Sequence, residues 1–269
     1  MFKAIAVDLD GTLLHDDRTI SAYTKDVLAR AVKAGTEFII CTGRMYDSLK
    51  TILPQLPFCH YAITCMGAEV YDAFTNERVI SHPMEQAYAE TLVAYAEETK
   101  THIQLYSHNI LYTNSLDRHS DRYLIETTSQ ARGIDGDVMT FAKNNEFSKM
   151  VLIDDEDRIP AHRERVQALL GGKLNICASS PRYVECSSLT ATKDGTLNDL
   201  VASLGIRRDE LIVFGDSGND VSMLANTGFS CTVANGWESA KQVSNLIVES
   251  NNNDGVARTV ARLVLKERP

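Results

Sequence analysis

Two short acidic segments of the chain carry carboxylates at spacings that suit a bound cation. Asp8 and Asp10 stand two positions apart, so in an extended chain both side chains lie on the same side. Asp216 and Asp220 stand four positions apart with small and polar residues between them, which lets their carboxylates curl around one hard cation. Each segment alone is also compatible with a solvated polar turn, and Asp220 could instead cap a following helix. The two segments therefore indicate a cation site only if the fold brings them together.

Two further segments carry groups that suit a phosphate. Thr42, Gly43 and Arg44 offer a hydroxyl, an unhindered backbone N–H and a guanidinium, which all bind phosphate oxygens. Lys193, just ahead of a predicted helix, offers an ammonium group. The alternatives are a strand-to-helix turn capped by Thr42 and, for Lys193, a solvated surface charge. Neither segment is specific by itself. Each indicates a phosphate-binding site only if it lies beside the acidic residues.

The charges of these residues suggest that the four segments belong to one site. Four carboxylates, those of Asp8, Asp10, Asp216 and Asp220, would face the single ammonium group of Lys193. Each like-charge pair about 4 Å apart costs roughly 4 kcal/mol at an effective dielectric constant of about 20, so either some carboxylates are protonated or a divalent cation lies among them. Oxygen ligands without a nearby Cys or His favour Mg²⁺ over zinc. Carboxylates also serve as covalent acceptors and proton donors in phosphoryl transfer, which is the chemistry that the set predicts.

Buried strands are predicted directly before three of these segments. Apolar runs at 4–7, 37–41 and 211–214 lead into Asp8, Thr42 and Gly215 respectively. A helix capped by Ser21 and ended by Gly35 separates the first two runs. Further strands are predicted at 229–233 and 246–248, and further helices ending near 204–205, at 221–225, from 237 and at 256–265. Such alternation is typical of a doubly wound (Rossmann-like) parallel sheet in an α/β domain, which binds ligands at the carboxyl ends of its strands.

The middle of the chain follows a different order. Helix–strand–strand occurs twice, with helices predicted at 84–99 and 160–170 and strands at 103–106, 110–113, 174–178 and 183–186. This order predicts an α+β cap domain, residues 83–186, inserted into an α/β core domain formed by residues 1–82 and 187–269. Residues of the insert that could line a site are Tyr106, His108, Tyr112 and Arg182. For each of these residues, however, the favoured interpretation is a packed aromatic ring or an exposed polar group with no role in a site.

The four segments, in this order, resemble a known family. Asp8-Leu9-Asp10-Gly11-Thr12, Thr42-Gly43-Arg44, Lys193 and Gly215-Asp216-Ser217-Gly218-Asn219-Asp220 resemble the motifs of the haloacid dehalogenase-like (HAD) superfamily of hydrolases. The long interval between the second and third segments is similar to that of the Cof-type (type IIB) phosphatase branch, which carries a large cap domain there. One departure is Asp194, which stands where the family usually has the glycine that directly follows the lysine.

The resemblance implies a role for each motif residue. Asp8 would be the nucleophile that forms an aspartyl phosphate, and Asp10 would protonate the leaving group and then activate water. The residues implied to hold Mg²⁺ are Asp8, Asp10 through its backbone carbonyl, Asp216 and, with Asn219 in support, Asp220. The residues implied to bind the phosphoryl group or the rest of the substrate are Thr42, Gly43, Lys193, Asn219 and Arg44.

The activity implied is that of a Mg²⁺-dependent phosphatase acting on small phosphorylated metabolites such as sugar phosphates. A cap of about 100 residues would exclude water and bulky partners such as phosphoproteins. A phosphotransferase or mutase on the same scaffold is an alternative. A non-enzymatic phospho-receiver module, which also groups acidic residues, a hydroxyl and a lysine around Mg²⁺, is a remote one. Such modules have about half this length and do not place the acceptor on the first strand.

Composition limits the partners and the compartment. The 269 residues include 27 Lys and Arg against 36 Asp and Glu, which gives a formal net charge of −9. This acidic balance argues against binding of nucleic acids or anionic membranes, and the chain has no run of 18 apolar residues. The six cysteines are irregularly spaced without a C-x-x-C pair, which predicts buried thiols and a cytoplasmic location. The expected partner is a small phosphorylated metabolite, and monomer and homodimer both stay open.

Overall fold

The computed structural model describes residues 2–127, 129–177 and 180–267. The chain forms two compact units, and the second is inserted into the first along the sequence. The first unit comprises Met1–Gly43, Leu49–Ile80 and Thr192–Pro269, and the second comprises Arg44–Ser48 and Ser81–Ala191.

The first unit is built on an eight-stranded sheet flanked by helices, with elements numbered along the whole chain. Its strands are β1 (Ala4–Val7), β2 (Glu37–Cys41), β3 (Tyr61–Thr64), β4 (Glu69–Asp72), β5 (Glu77–Ser81), β12 (Leu211–Gly215), β13 (Phe229–Val233) and β14 (Leu246–Val248). Its helices are α1 (Ala22–Lys33), α6 (Lys193–Ser203), α7 (Val221–Ala225), α8 (Glu238–Val243) and α9 (Gly255–Leu263).

The order of the strands confirms the predicted doubly wound sheet. The order is β14-β13-β12-β1-β2-β3-β4-β5, and β1 pairs in parallel with both β2 and β12. The chain therefore winds outward from β1 in one direction through β2 and β3, and later in the other direction through β12, β13 and β14. In such sheets the crevice between the two windings, at the carboxyl ends of the central strands, is where ligands bind.

Strands β3, β4 and β5 are absent from the sequence-based prediction. The burial of β5 alternates between exposed and half-buried positions, and charged residues begin it, so no apolar run marks it. The short strand β4 pairs antiparallel with β3, which departs from the parallel pattern of the other strands. β5, at the edge of the sheet, therefore lacks the continuous apolar signal of strands that helices cover on both faces.

The predicted cap of α1 forms as expected. The Ser21 side chain accepts a hydrogen bond from the Thr24 backbone N–H at 2.9 Å. Val27 and Leu28, which the spacing places on one face, are fully buried. Gly35 follows the helix with a φ of +96°, a conformation that favours glycine.

The second unit is an α+β structure with a six-stranded sheet. Its strands are β6 (His102–Ser107), β7 (Ile110–Thr113), β8 (Arg132–Gly133), β9 (Lys149–Ile153), β10 (Leu174–Cys177) and β11 (Tyr183–Ser188), in the order β10-β11-β9-β6-β7-β8. Its helices are α2 (Gln86–Thr99), α3 (Arg118–Thr127), α4 (Val138–Lys143) and α5 (Ile159–Leu170). The sequence-based prediction misses α3, α4, β8 and the central strand β9. Residue 178, the last of the predicted strand 174–178, lies outside the described residues.

The structure also bears on two expectations from composition, the absence of a membrane-spanning segment and the burial of the cysteines. No helix within the described ranges is both long and apolar enough to cross a bilayer. Five of the cysteines are buried as predicted, whereas Cys177, at the end of β10, is exposed.

Candidate active site

Asp8 lies at the carboxyl end of the central strand of the first unit. Strand β1 is fully buried, and Asp8 continues it with extended backbone, its N–H donating to the Phe214 carbonyl of β12 at 3.0 Å. The Asp8 residue is only 5% exposed. The strand thus delivers a carboxylate into the interior, at the point where the two windings of the sheet diverge.

The turn after β1 brings a second carboxylate close. Gly11 has a φ of +78°, and a Cβ atom there would lie 2.8 Å from Asp216 Oδ2, so both conformation and space require glycine. The next residue, Thr12, is buried and donates its hydroxyl hydrogen to Asp216 Oδ1 at 2.9 Å. Asp10 itself is exposed.

The loop after β12 is held by Asp220. Its Oδ2 atom accepts hydrogen bonds from the backbone N–H groups of Asp216 and Ser217, both at 3.1 Å. Asp220 is fully buried and directly precedes α7, but its side chain makes no capping hydrogen bond to that helix, so the predicted capping role is not formed. This arrangement fixes Asp216, which is 9% exposed, beside the end of β1.

Lys193 is the cation of the site and is 2% exposed. Its Nζ atom donates to Asp8 Oδ1 at 2.6 Å and to Asp220 Oδ1 at 2.7 Å. Lys193 is the first residue of α6, which Thr192 caps by accepting from the Gly195 N–H. Asp194 therefore leaves the cap of this helix intact.

Gly67 sets the position of Lys193, and sequence reasoning missed it. The residue has a φ of +102°, and a Cβ atom there would lie 2.3 Å from the Thr192 carbonyl oxygen and 2.9 Å from the Lys193 backbone nitrogen. The Gly67 carbonyl in turn accepts the Thr196 hydroxyl of α6 at 2.7 Å. The only signal in the sequence was a glycine after a short apolar run.

Thr42 and Gly43 follow β2, the other neighbour of β1. Thr42 is buried, and its backbone is held by the Ile63 carbonyl on one side and the Met66 N–H on the other. A Cβ atom on Gly43 would lie 3.1 Å from Met66 Sδ, and the same sulfur accepts from Asn219 Nδ2 at 3.4 Å. Met66 thus links the segment after β2 to the acidic loop after β12. Arg44 belongs to the second unit.

Burial governs the charges of this cluster. Burial, and then the charge of Asp220, raises the pKa of Asp216 to about 6, although the Thr12 hydrogen bond acts in the opposite direction. Burial also raises the pKa of Asp8, and Lys193 offsets only part of that effect. Burial by itself would lower the pKa of Lys193, but the carboxylates of Asp220 and Asp8 outweigh it and raise that pKa. The ammonium group therefore stays charged at neutral pH, whereas the two aspartates gain from a further cation.

The carboxylates fit a hard divalent cation. One ligand atom each from Asp8, Asp216 and Asp220 lies within 4.8 Å of the others. The donors are all oxygen atoms, which Mg²⁺ and Ca²⁺ prefer to the sulfur and nitrogen ligands typical of zinc. A side chain at position 11 would crowd Asp216 Oδ2, and Gly11 has none.

The structure brings together most of the sequence-predicted residues of the first unit. Asp8, Asp216, Asp220 and Lys193 form one buried cluster, but the Asp10 carboxylate is not part of the group of possible metal ligands. The predicted extended geometry, with Asp8 and Asp10 on one side, ends at Asp8, because the chain turns through Leu9–Leu13. Asp10 is nevertheless near enough for its charge to contribute to the raised pKa of Asp216.

Sequence comparisons identify the family of the chain. The family profile of the haloacid dehalogenase-like hydrolases matches residues 5–260. The chain is 30% identical over 268 residues to a protein of Streptococcus pyogenes named as a putative phosphatase, covering 98% of each. It is 27% identical to the 5-amino-6-(5-phospho-D-ribitylamino)uracil phosphatase YcsE of Bacillus subtilis, covering 98% of this chain and 96% of that protein.

The fold is also similar to solved structures. The HAD subclass IIB sugar phosphatase BT4131 superposes with a TM-score of 0.80 at 19% sequence identity, covering 97% of this chain and 98% of that one. With an Asp-bearing central strand, a buried lysine and an acidic loop at one sheet edge, the chain belongs to the haloacid dehalogenase-like hydrolases. It is an enzyme of the phosphatase class within that family, whose members generally use a divalent metal.

Proposed function

We propose that the enzyme is a Mg²⁺-dependent phosphatase that hydrolyses small phosphorylated metabolites, of the sugar phosphate kind, through an aspartyl phosphate on Asp8. The observation that carries this proposal is the buried cluster in which Asp8 lies 2.6 Å from Lys193 and beside Asp216. A buried carboxylate held in one orientation by an ammonium group is suited to attack phosphorus in line. Of the named relatives, one acts on a phosphorylated ribityl compound and one structural neighbour is a sugar phosphatase.

The residues divide the chemistry between them. An Asp8 carboxylate oxygen attacks phosphorus, and the bond from phosphorus to the departing oxygen breaks. Asp10, exposed at the turn after β1, gives its proton to the departing alkoxide and later takes a proton from the attacking water. Lys193 binds and neutralises the phosphoryl oxygens, and the Thr42 hydroxyl and Gly43 N–H are proposed to do the same from the end of β2. Arg44 and Asn219 are proposed to contact the substrate.

A bound Mg²⁺ would be held by Asp8, Asp216 and the backbone carbonyl of Asp10, and would supply charge stabilisation to the phosphoryl oxygens. Asp220 fits a supporting role better than direct coordination. Its Oδ1 atom already accepts from Lys193, and its Oδ2 atom from the N–H groups of Asp216 and Ser217. Asp220 thus orients both the lysine and the Asp216 loop.

The unit boundaries bear on substrate size. We propose that residues 83–186 act as a cap for the core of residues 1–82 and 187–269, which favours small metabolites over phosphoproteins. A panel of about a hundred phosphorylated metabolites, with a phosphopeptide for comparison, tests this. Preference for the phosphopeptide would contradict the role of the cap. We also retain a cytoplasmic location as a proposal, since five cysteines are buried and none forms a disulfide among the described residues.

The nucleophile and acid–base assignments are tested by Asp8→Asn and Asp10→Asn on an aryl phosphate. Both variants are expected to lose at least about a thousandfold in kcat, whereas Asp199→Asn, which changes an exposed carboxylate on α6, should keep wild-type activity. Near wild-type turnover by either active-site variant would refute its assigned role. Supplying acceptor sugars distinguishes hydrolysis from the alternative, phosphoryl transfer, because a transferase releases a new ester in place of inorganic phosphate.

The metal requirement is tested separately. Activity should disappear in EDTA and return with Mg²⁺, and an enzyme that stays active in EDTA would contradict the proposed metal. Circular dichroism in EDTA is the control, since it shows whether the protein stays folded.

A further inference from the structure

Gly11 is the pivot of the turn that carries Asp10. It directly follows Asp10 in the chain and has a φ of +78°. The wide turn is closed by the Leu13 N–H, which donates to the Asp8 carbonyl at 3.2 Å. Glycine has no Cβ atom and restricts the rotation of the chain less than any other residue. The orientation of the Asp10 carboxyl therefore depends on what holds the backbone of Gly11.

Asn235 holds this backbone from outside the turn. Its Nδ2 atom donates to the Gly11 carbonyl at 2.8 Å. Its Oδ1 atom accepts from the Asn251 N–H at 3.0 Å. Asn235 lies in the turn after β13, which is closed by the Gly236 N–H donating to the Val233 carbonyl at 2.8 Å. Both ends of the amide are thus engaged, so the side chain cannot rotate away from Gly11 without losing two hydrogen bonds.

The loop between β14 and α9 holds the far end of the same segment. Asn251 is 2% exposed, and its Nδ2 atom donates to the Leu14 carbonyl and to Asp16 Oδ1, both at 2.9 Å. Asn252 Nδ2 donates to Asp16 Oδ2 at 2.8 Å, and Asn252 Oδ1 accepts from the Asp16 N–H at 3.0 Å. The hydrogen bonds from Asn251 and then Asn252 lower the pKa of Asp16, so its carboxylate stays ionised as their acceptor.

This loop is itself fixed within the first unit. A Cβ atom at Gly255 would overlap the Glu249 carbonyl, so the loop is wound too tightly for any other residue at that position. Asp254 Oδ1 accepts from the hydroxyl of Thr24 on α1 at 2.8 Å. The chain from 11 to 16 is therefore held by side chains whose own positions are set by the core helices and strands.

We propose that Asn235 is a positioning residue for Asp10, which holds the Gly11 carbonyl so that the Asp10 carboxyl stays beside the departing oxygen and later the attacking one. The proposal rests on the proposed function, because it takes Asp10 to be the acid and base of the reaction. In this role Asn235 touches neither substrate nor metal and acts through the backbone of the turn. A displacement of about 1 Å in a catalytic group costs about a hundredfold in the step that it catalyses.

Asn235→Asp tests the proposal, because it keeps an oxygen that accepts from Asn251 and removes only the donor to Gly11. Asn235 is exposed, so the variant is expected to fold. Proton donation matters most when the departing oxygen is an alkoxide and least when it is 4-nitrophenolate, which is a stable anion. At saturating Mg²⁺ we expect kcat/KM to fall at least about tenfold more for the alkyl phosphate that the wild type hydrolyses fastest than for 4-nitrophenyl phosphate.

The ratio of the two substrates separates positioning from a structural role. A loss of folded protein or of metal binding lowers both values of kcat/KM alike, whereas misplacement of the acid does not. Asp10→Asn should show the same discrimination more strongly. Asn253→Asp is the matched control, because it introduces the same charge in the neighbouring loop, where Asn253 Nδ2 donates to the Ser250 hydroxyl at 3.1 Å, and it should leave the ratio unchanged. Equal losses on both substrates in Asn235→Asp, with discrimination in Asp10→Asn, would overturn the proposal.

Hydrogen exchange tests the same contact without turnover. The Leu13 N–H should exchange about tenfold or more faster in Asn235→Asp than in the wild type, and at the wild-type rate in Asn253→Asp. An unchanged rate in Asn235→Asp would overturn the proposal. Should Asp10→Asn fail to discriminate between the two substrates, the acid–base part of the proposed function fails, and the exchange rate alone decides whether Asn235 holds the turn.

Discussion

Gly67→Ala offers a direct test of how the fold positions Lys193. A Cβ atom at this residue would lie 2.3 Å from the Thr192 carbonyl oxygen, whereas real Cβ atoms stay at least 3.0 Å away. Relief of this clash requires a shift of about 0.7 Å between the turn after β3 and the start of α6. Lys193 donates to Asp8 and Asp220 from the first turn of that helix, at 2.6 and 2.7 Å. A shift of that size along either bond would stretch it beyond ordinary hydrogen-bond length.

The expected loss has two parts. Alanine at positive φ costs about 1 kcal/mol of unfolding free energy, and a clash with backbone adds about 1–3 kcal/mol. A misplacement of about 1 Å in a catalytic constellation costs about a hundredfold in rate, so a shift of about 0.7 Å is expected to lower kcat by tenfold or more. Gly35→Ala is the matched control, because Gly35 has a φ of +96° and no atom within 4 Å of the place that a Cβ would take, so it carries only the first part.

The assay combines urea unfolding with steady-state hydrolysis of an aryl phosphate. Both variants should lose stability, Gly67→Ala by at least about 1 kcal/mol more than Gly35→Ala, and only Gly67→Ala should lose kcat. Two results would refute the reasoning. One is a Gly67→Ala enzyme with normal kcat, and the other is an equal loss of kcat in both variants, since either would mean that the close approach to Thr192 does not set the position of Lys193.

Three further outcomes are expected. Thr12→Val removes the hydroxyl donor to Asp216 and should raise the Mg²⁺ concentration for half-maximal activity about tenfold or more, and an unchanged value would contradict an orienting role. Because burial, and then the charge of Asp220, raises the pKa of Asp216 to about 6, protons compete with the cation below that pH. Calorimetric Mg²⁺ affinity should therefore fall as pH drops through 6 and stay level above 7, and a level profile down to pH 5 would contradict it. Lys193→Met leaves two buried carboxylates without their ammonium partner and should lower the unfolding free energy in EDTA by about 3–5 kcal/mol, with part regained in Mg²⁺. An equal loss in both conditions would exclude a cation from this cluster.

The sequence predicts the central strands of the first unit because helices cover them on both faces. Strands β1, β2 and β13 begin and end where the apolar runs do. The strand β9 was missed, although it pairs with β6 and β11 at the centre of its sheet, because a charged residue, Lys149, begins it. That lysine is buried only because Glu185 pairs with it from another strand, and a partner 36 residues away is not visible in local periodicity.

The candidate site also contains residues that the sequence could predict and residues that it could not. Asp8 and Asp216 could be expected together because parallel strands bring their carboxyl ends to one edge of a sheet. The contributions of Thr12 and Gly67 could not, because each depends on contact with a segment more than a hundred residues away in the chain. Thr12 matters through a hydrogen bond to Asp216, and Gly67 matters through the side chain that it lacks.

The charges of the cluster limit what it can bind. Asp8, Asp216 and Asp220 with Lys193 carry a formal charge of −2 when all are ionised, and Asp220 has its oxygens occupied by Lys193 and two N–H groups. The uncompensated charge therefore resides on Asp8 and Asp216, the two carboxylates that burial drives towards protonation. One divalent cation beside these two brings the cluster to neutrality, and a phosphate dianion then meets a lysine and no excess of negative charge. The crowding that would destabilise the empty cluster is thus the same feature that suits it to a divalent cation.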